Sequence, residues 1–264
     1  MTIMTRCLGL TALALAFTAC GTSSNDPCDG AKSGTACRWA GTGDKGFNAD
    51  NPVANRLDSI LYFPTDLTFG PDGRAYVVDW NNHMIRRVNT NDTMETILGT
   101  DYEGDGDPDM NDRLPTCNPK GALGTTVAMN HPTEARFGPD GLLYVAAWHN
   151  NKIRTIDTAT GYVKTVAGDF YGYSGDGGPM CAAIFNQPKS ITWDAAGNMY
   201  IIDQRNVRIR RVGTDQVITT IAGDGKLGTV LVRTAVALGN VQLLEAFDVG
   251  TRPIGRKDIG ERRA

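Results

Sequence analysis

One sequence pattern occurs three times in succession in the central part of the chain. The three copies cover Phe63–Gly99, His131–Gly168 and Gln187–Gly223. Each copy has a proline at its start, then a tyrosine, then an Ile-Arg pair, at Pro64, Pro132, Pro188, Tyr76, Tyr144, Tyr200, Ile85-Arg86, Ile153-Arg154 and Ile209-Arg210. Because a repeated unit of this size buries its apolar side chains against its neighbours, the repetition predicts a propeller or a solenoid.

Each copy divides into four short apolar segments separated by turn residues. In the first copy we predict strands at Asp66–Phe69, Arg74–Asp79, Met84–Asn89 and Thr93–Leu98. Pro71-Asp72-Gly73 joins the first two strands, since proline fixes φ and glycine permits a positive φ. The 31 glycines and 12 prolines of the chain agree with frequent chain reversals. We therefore predict an all-β fold built from blades of four antiparallel strands.

The linkers and the blade ends carry a pattern that resembles a known repeat family. The third copy is preceded by Gly175-Asp176-Gly177-Gly178-Pro179 and ends at Thr220-Ile221-Ala222-Gly223. Together with Ile209-Arg210-Arg211-Val212, these segments resemble NHL-repeat propellers, notably the bacterial secreted and teneurin-like versions. The resemblance extends from Ala36 to Gly228, and it implies a β-propeller in which each repeat forms one blade.

The sequence shows few blades for a closed propeller. Residues 36–43 resemble only the last strand of a blade, so we predict three full blades plus one N-terminal strand over residues 36–228. Since propellers typically close with about four to eight blades, we expect an incomplete or open propeller. Residues 229–264 carry no repeat, and we interpret them as a tail that is truncated or altered in reading frame. Closure by oligomerisation and a tail that covers the open edge are the alternatives.

The N-terminus has the pattern of an export signal. A basic residue precedes a short apolar run that ends at Phe17, and small residues follow, which predicts a signal peptide at residues 1–19. The segment before Cys20 resembles a bacterial lipobox and implies that Cys20 is lipid-modified, although Phe17 stands where that motif usually has leucine. Residues 20–35 then form a flexible tether. Ordinary signal cleavage, which leaves the protein secreted, is the alternative.

Export changes the interpretation of the remaining cysteines. An oxidising compartment favours disulfide bonds, and four cysteines allow three pairings. We favour Cys28–Cys37, which are close in sequence, and Cys117–Cys181, which fall in equivalent connections between blades. A metal site is the competing interpretation, but the chain has no CxxC pair with a neighbouring histidine to support it.

Histidines and tryptophans are the side chains most often found at functional sites. His83, His131 and His149 occupy different places in their blades, so we expect them in turns or on the surface and not converging as metal ligands. Trp80 and Trp148 occupy equivalent positions just after a second strand. Packing in the core or the turn is one interpretation of the two tryptophans, and a recognition surface is the other, which makes them the candidate binding residues.

The charged segments have structural interpretations. The acidic stretch Asp101–Asp109 lacks the glycine and glutamate spacing of an EF-hand, so we expect no calcium site there, and Asp105 matches Asp176 of the next linker. The arginines of the third strands are expected to lie over strand edges or to pair with acids such as Asp79 and Asp203. A formal net charge of −3 gives nucleic acid little electrostatic reason to bind.

These observations predict a binding protein and not an enzyme. The sequence has no GxSxG, no HExxH and no phosphate-binding loop, and we expect neither catalytic residues nor a cofactor. We predict a lipid-anchored scaffold of the bacterial cell envelope that binds a protein or a surface glycan, is held to the membrane by its lipid and binds no nucleic acid. A propeller enzyme of lyase or metal-dependent lactonase type, or a propeller fragment without function, are the alternatives.

Overall fold

The structure is a computed structural model and describes residues 29–48, 55–106 and 116–226. The chain divides into two compact units, Met1–Trp39 and Ala40–Ala264. In the first unit, residues 29–39 form turns without a strand. The predicted signal peptide, Cys20, most of the predicted tether and the predicted tail lie outside the described residues. Nowhere in the described ranges is there a helix with the length and hydropathy needed to cross a membrane.

The described part of the second unit contains three antiparallel sheets, and twelve of their thirteen strands lie within the three sequence copies. Blade 1 contains β1 (Pro64–Phe69), β2 (Ala75–Asp79), β3 (Met84–Val88) and β4 (Met94–Leu98). A short β5 (Ala122–Leu123) pairs with the last strand of blade 2, which contains β6 (Pro132–Phe137), β7 (Leu143–Ala147), β8 (Lys152–Ile156) and β9 (Tyr162–Gly168). Blade 3 contains β10 (Pro188–Trp193), β11 (Met199–Asp203), β12 (Arg208–Val212) and β13 (Ile218–Ala222).

The strands of each blade are hydrogen-bonded in sequence order, as in the meander of a propeller blade. The prediction of an all-β, propeller-type fold is therefore confirmed, and over the described ranges the three blades do not close into a ring. The pairing repeats even in its irregularities, because the register between the first two strands shifts just after Pro64, Pro132 and Pro188.

A tyrosine–aspartate hydrogen bond closes the first turn of every blade. The hydroxyl of Tyr76 donates to Asp72 at 2.9 Å, and blade 2 repeats this bond with its own Asp-Gly turn. In blade 3 the aspartate is Asp194, two positions earlier in the turn, and it still accepts from Tyr200 at 2.8 Å. Hydrogen bonds, first from the Asn198 side chain, lower the pKa of Asp194 to about 2.

The apolar core lies between neighbouring blades. One cluster contains Val78 and Leu98 of blade 1 together with Val145 and Ile156 of blade 2. A second cluster joins blade 2 to blade 3 and contains Phe185 of the linker between them. Each sheet therefore buries its apolar side chains on its neighbour, as the repeat pattern predicts.

A fully buried arginine lies on the third strand of each blade, at Arg86, Arg154 and Arg210. Arg86 pairs with Asp79 and Arg210 pairs with Asp203, each at 3.3 Å, and both carboxylates are fully buried. The predicted pairing of these arginines with acids is confirmed. A buried charge is tolerated only when it is paired and hydrogen-bonded, so these ion pairs fix the position of the second and third strands.

Blade 2 satisfies its arginine in a different way, because Ala147 stands where the other blades have aspartate. Arg154 pairs with the linker residue Asp105 at 2.8 Å, and Lys152 binds the same carboxylate at 2.5 Å. Asn150 replaces the missing aspartate as acceptor for the backbone N–H of Asn130, at 2.8 Å. Asp105 is thus an ion-pair partner of blade 2, as Asp176 is for Arg210 at 2.7 Å in blade 3.

The predicted N-terminal strand at residues 36–43 is not present as a strand. The backbone N–H groups of Gly41 and Thr42 donate to the carbonyls of Arg56 and Ser59, which belong to the connection leading into blade 1. These groups are therefore used by a linker and not by a sheet. The connection leading into blade 1 resembles the one leading into blade 2, since Lys45 bridges to Leu61 in parallel just as Glu103 bridges to Met129.

Candidate functional site

Three turns of the same kind occupy one end of the blades. Each follows the second strand of its blade, at Trp80–Asn82, at residues 148–150 and at Gln204–Asn206. The middle residue of each turn donates its backbone N–H to the segment that leads into its own blade, with acceptors at Tyr62, Asn130 and Asn186. We call the half-buried and exposed side chains of these turns the turn face; they are Trp80, Asn81, Trp148, His149, Gln204 and Arg205.

The last residue of each turn is a buried asparagine with a constant role. The side-chain amides of Asn82, Asn150 and Asn206 donate to the carbonyls of Gly46, Gly104 and Gly172, at 2.6, 2.7 and 2.6 Å. Since these glycines lie in the linker that precedes each blade, the asparagine ties linker to turn. This bond explains why asparagine recurs in every copy. The side chains of the first two turn residues do not make it.

The two tryptophans are neighbours on the turn face. Their ring centroids lie 6.5 Å apart, and the indole N–H of Trp148 donates to Gln204 of blade 3 at 2.9 Å. Trp148 also stacks on His149, with centroids 4.0 Å apart and planes at 19°. The tryptophans are half-buried, so they contribute both to packing and to the surface, and they link the turns of all three blades.

All three histidines of the chain meet at the junction of blades 1 and 2. The ring centroids of His83 and His131 are 4.3 Å apart, and those of His131 and His149 are 4.8 Å apart. Glu103, on the linker before blade 2, brings a carboxylate to the same place, and one ligand atom each of His83, Glu103 and His131 lie within 4.8 Å of one another. We call these four residues the histidine cluster.

The expectation that the histidines do not converge is therefore wrong. His83 ends the turn of blade 1, whereas His131 lies just before β6, where blade 2 begins. Packing of neighbouring blades brings these two places together, and the backbone N–H of His131 donates to Nδ1 of His83 at 3.1 Å. The same bond joins the next pair of blades, where Gln187 donates to the side chain of Asn151 at 2.9 Å. The sequence copies reveal this contact only if the residue that ends the turn of one blade is compared with the first residue of the next copy.

The backbone at these positions is set by the blade and not by the residue. His83, Asn151 and Val207 all have a left-handed backbone, with φ of 59°, 56° and 51°. Such a φ is unfavourable for residues other than glycine, and particularly for a β-branched valine. Because three unlike residues adopt it at equivalent places, the histidine side chain at position 83 is not required by the turn.

The histidines of the cluster are held in the neutral form. Burial lowers the pKa of His131 to about 4, and the nearby His83 and His149 act in the same direction. Burial also lowers the pKa of His83 and of His149, while the carboxylate of Glu103 opposes the shift in all three. Neutral imidazoles keep a nitrogen lone pair, so at neutral pH the cluster offers ligand atoms and not positive charge.

One disulfide cross-links two equivalent linkers of the chain. Cys117 and Cys181 form a disulfide with Cα atoms 5.5 Å apart, and it connects the linker before blade 2 to the linker before blade 3. Cys37 is also disulfide-bonded. Cys28, its predicted partner, lies outside the described residues, so the pairing of Cys28 with Cys37 stays a prediction.

Comparison with known proteins connects the chain to repeat proteins of much greater length. Mouse teneurin-1 is 27% identical over 187 residues, which are 68% of this chain and 6% of teneurin-1. NHL repeat-containing protein 2 of Bos taurus is 27% identical over 185 residues, which are 68% of this chain and 24% of that protein. The chain therefore spans less than a quarter of either relative.

Among solved structures, an auxiliary nutrient binding protein from Bacteroides thetaiotaomicron is similar, with 23% identity and a TM-score of 0.44 over 58% of this chain and 36% of that one. No protein-family model matches the chain.

Proposed function

The chain is an NHL-repeat β-propeller homologue of teneurins and of NHL repeat-containing protein 2, and from this premise we propose that it binds a protein partner outside the cytoplasm through the turn face. A surface glycan is the second candidate ligand. Binding is proposed to proceed without catalysis. Fold alone does not define a function, so the proposal is carried by the side chains of the turns.

The observation that carries the proposal is a contrast within each turn. The buried asparagine at the third position is the same in all three blades, and so is its bond to a linker glycine. The second position changes from Asn81 to His149 to Arg205, although its backbone N–H makes an equivalent hydrogen bond in all three blades. A position that is fixed in backbone and variable in chemistry is suited to contact a ligand, since the fold does not prescribe its side chain.

The composition of the turn face also supports a protein ligand. Tryptophan and arginine are the side chains that most often dominate the energetics of protein interfaces, particularly where large rings are partly desolvated. Here two half-buried indoles lie 6.5 Å apart, and Arg205 is exposed and bonded to Gln187 at 2.7 Å. Rings held by neighbouring side chains lose little conformational entropy when a partner binds.

Replacement of Trp148 by alanine is expected to weaken binding of the envelope partner by roughly 30-fold or more, as for a central aromatic of an interface. The matched control is Tyr162→Ala, which removes a half-exposed aromatic from the other end of the strands of blade 2. A photo-crosslinking amino acid at position 81 identifies the partner in envelope fractions, and titration of that partner gives the affinities. Equal affinities for Trp148→Ala and Tyr162→Ala would contradict the proposal, and labelling of polysaccharide would favour the glycan.

A disulfide bond supports the proposed location outside the cytoplasm. The disulfide between Cys117 and Cys181 is the kind of bond that persists in oxidising compartments. We propose that the protein is held in the bacterial cell envelope by a lipid on Cys20, with the membrane as its second partner. Several acyl chains give a stable anchor, because each buried methylene contributes about 0.8 kcal/mol.

A Cys20→Ala variant is expected to lose its lipid and to move from the membrane fraction to the soluble fraction. Incorporation of a labelled fatty acid, followed by fractionation of the envelope, measures both changes. Cys37→Ala is a control that removes a cysteine without removing the proposed lipid site. Equal labelling of the native chain and the Cys20→Ala variant would contradict lipid attachment at this residue.

A further inference from the structure

The histidine cluster has the chemistry of a transition-metal site. We propose that His83, Glu103 and His131 bind one zinc-class divalent ion at the junction of blades 1 and 2. Imidazole nitrogens with one carboxylate are a common ligand set for zinc, whereas calcium and magnesium prefer oxygen ligands. This inference does not depend on whether the turn face binds a protein.

The orientation of His131 suits a metal ligand. Its Nδ1 lies 2.6 Å from the side-chain oxygen of Asn130, which can only accept, so Nδ1 carries the proton and Nε2 keeps its lone pair. Metal-binding histidines usually donate their second N–H to an oxygen in this way, which fixes the ring for coordination. The ring of Trp80 lies 4.4 Å from that of His131 and shields it on another side.

His83 and Glu103 are held in place by the backbone around them. Nδ1 of His83 accepts from the N–H of His131, so this nitrogen is unprotonated, and a metal that binds it replaces that hydrogen bond. Glu103 is fixed by its bridge to Met129 and by the hydrogen bond from the N–H of Gly104 to the Met129 carbonyl at 3.0 Å. The three ligands therefore come from three segments that the fold already joins.

His149 lies beside the protonated ring nitrogen of His131, away from the nitrogen that would bind the metal. Its Nδ1 is 3.0 Å from Nδ1 of His131, and its ring is exposed on the turn face. A water molecule is expected to complete four-coordination, as in zinc sites with three protein ligands.

The next blade junction shows which residues can replace the histidines in a test of metal binding. At the junction of blades 2 and 3 the residues equivalent to His83 and His131 are Asn151 and Gln187, and they make the same hydrogen bond. A His83→Asn, His131→Gln double variant therefore gives the first junction the chemistry of the second. We expect it to keep the fold and to lose the metal site.

Zinc alone is the probe. We expect the purified native chain to bind one zinc ion per chain by isothermal titration, and cobalt to give the visible absorption of a tetrahedral site. The double variant is expected to bind zinc more than about 100-fold more weakly, since loss of even a supporting residue costs about 10–100-fold. Absence of zinc binding by the native chain, or unchanged binding by the double variant, would overturn the proposal.

A second variant keeps the test decisive if the double variant fails to fold. Glu103→Gln alters an exposed side chain and keeps its size. It is expected to weaken zinc binding by at least about 10-fold and to change the cobalt spectrum, because a neutral amide is a poorer ligand than a carboxylate. An unchanged affinity and spectrum in Glu103→Gln would exclude this carboxylate as a ligand.

Discussion

Replacement of Arg210 by methionine is expected to lower the free energy of unfolding by about 3–5 kcal/mol, because it leaves the buried Asp203 without its cation. Both side chains are fully buried, and Arg210 also pairs with Asp176 and donates to the carbonyl of Ser174. Methionine fills part of the volume but offers no donor. Urea unfolding of the native and variant chains, followed by circular dichroism, measures the difference.

The pH dependence of this loss distinguishes an ion pair from simple packing. Burial already raises the pKa of Asp203 in the folded chain, and loss of Arg210 raises it further. A carboxyl whose pKa is higher in the folded state than in the unfolded state binds more protons when the chain is folded. The stability of the protein therefore increases as the pH falls toward the pKa of the unfolded state. The deficit of Arg210→Met is therefore expected to be smaller at about pH 5 than at neutral pH.

The neighbouring arginine on the same strand is the control. Arg208 is partly exposed and donates to the backbone carbonyls of Asn206 and Asp224, at 2.8 and 3.0 Å. Arg208→Met is expected to cost about 1 kcal/mol, with no comparable change between the two pH values. A deficit of Arg210→Met that is independent of pH would show that Asp203 does not carry an uncompensated charge in the variant.

The sequence predicts the fold well because the determinants of each blade are local and repeated. The turn at Asp72 and Gly73, the short apolar segments and the third-strand arginine are all visible in one copy. Blade 3 keeps the tyrosine–aspartate hydrogen bond with a different turn sequence. Its aspartate, Asp194, stands two positions earlier in the turn and still accepts from Tyr200. In blade 1 the corresponding position is Gly70, where a Cβ would lie 2.6 Å from the Asp72 carboxylate.

The histidine cluster could not be predicted in the same way, because its members belong to different blades and to a linker. Comparison of copies position by position places His83 with Asn151 and leaves His131 apart. Only the packing of one blade on the next brings His131 and Glu103 to His83. Likewise, Ala147 gives no sign that Asn150 and Asp105 take over the roles of the missing aspartate.

The junction between blades 2 and 3 is expected to depend on one aromatic ring. Phe185→Ala is expected to lower the free energy of unfolding by about 3–5 kcal/mol, because the ring is fully buried and its loss leaves a cavity. Phe185 lies in a cluster with Ile153 of blade 2 and Ile201 of blade 3. The guanidinium of Arg210 lies 5.5 Å from the centroid of the same ring.

Phe170→Ala is the matched control, since Phe170 lies in the same linker and is 80% exposed. It is expected to change stability by less than about 0.5 kcal/mol. In an array of modules the interfaces carry much of the stability, so loss of this ring should release blade 3 before the rest of the chain. Hydrogen exchange of the β11 and β12 amides, compared with those of β7, measures that difference. Equal acceleration in blades 2 and 3 would mean that the blades unfold as one unit and that their junction is not the weak point.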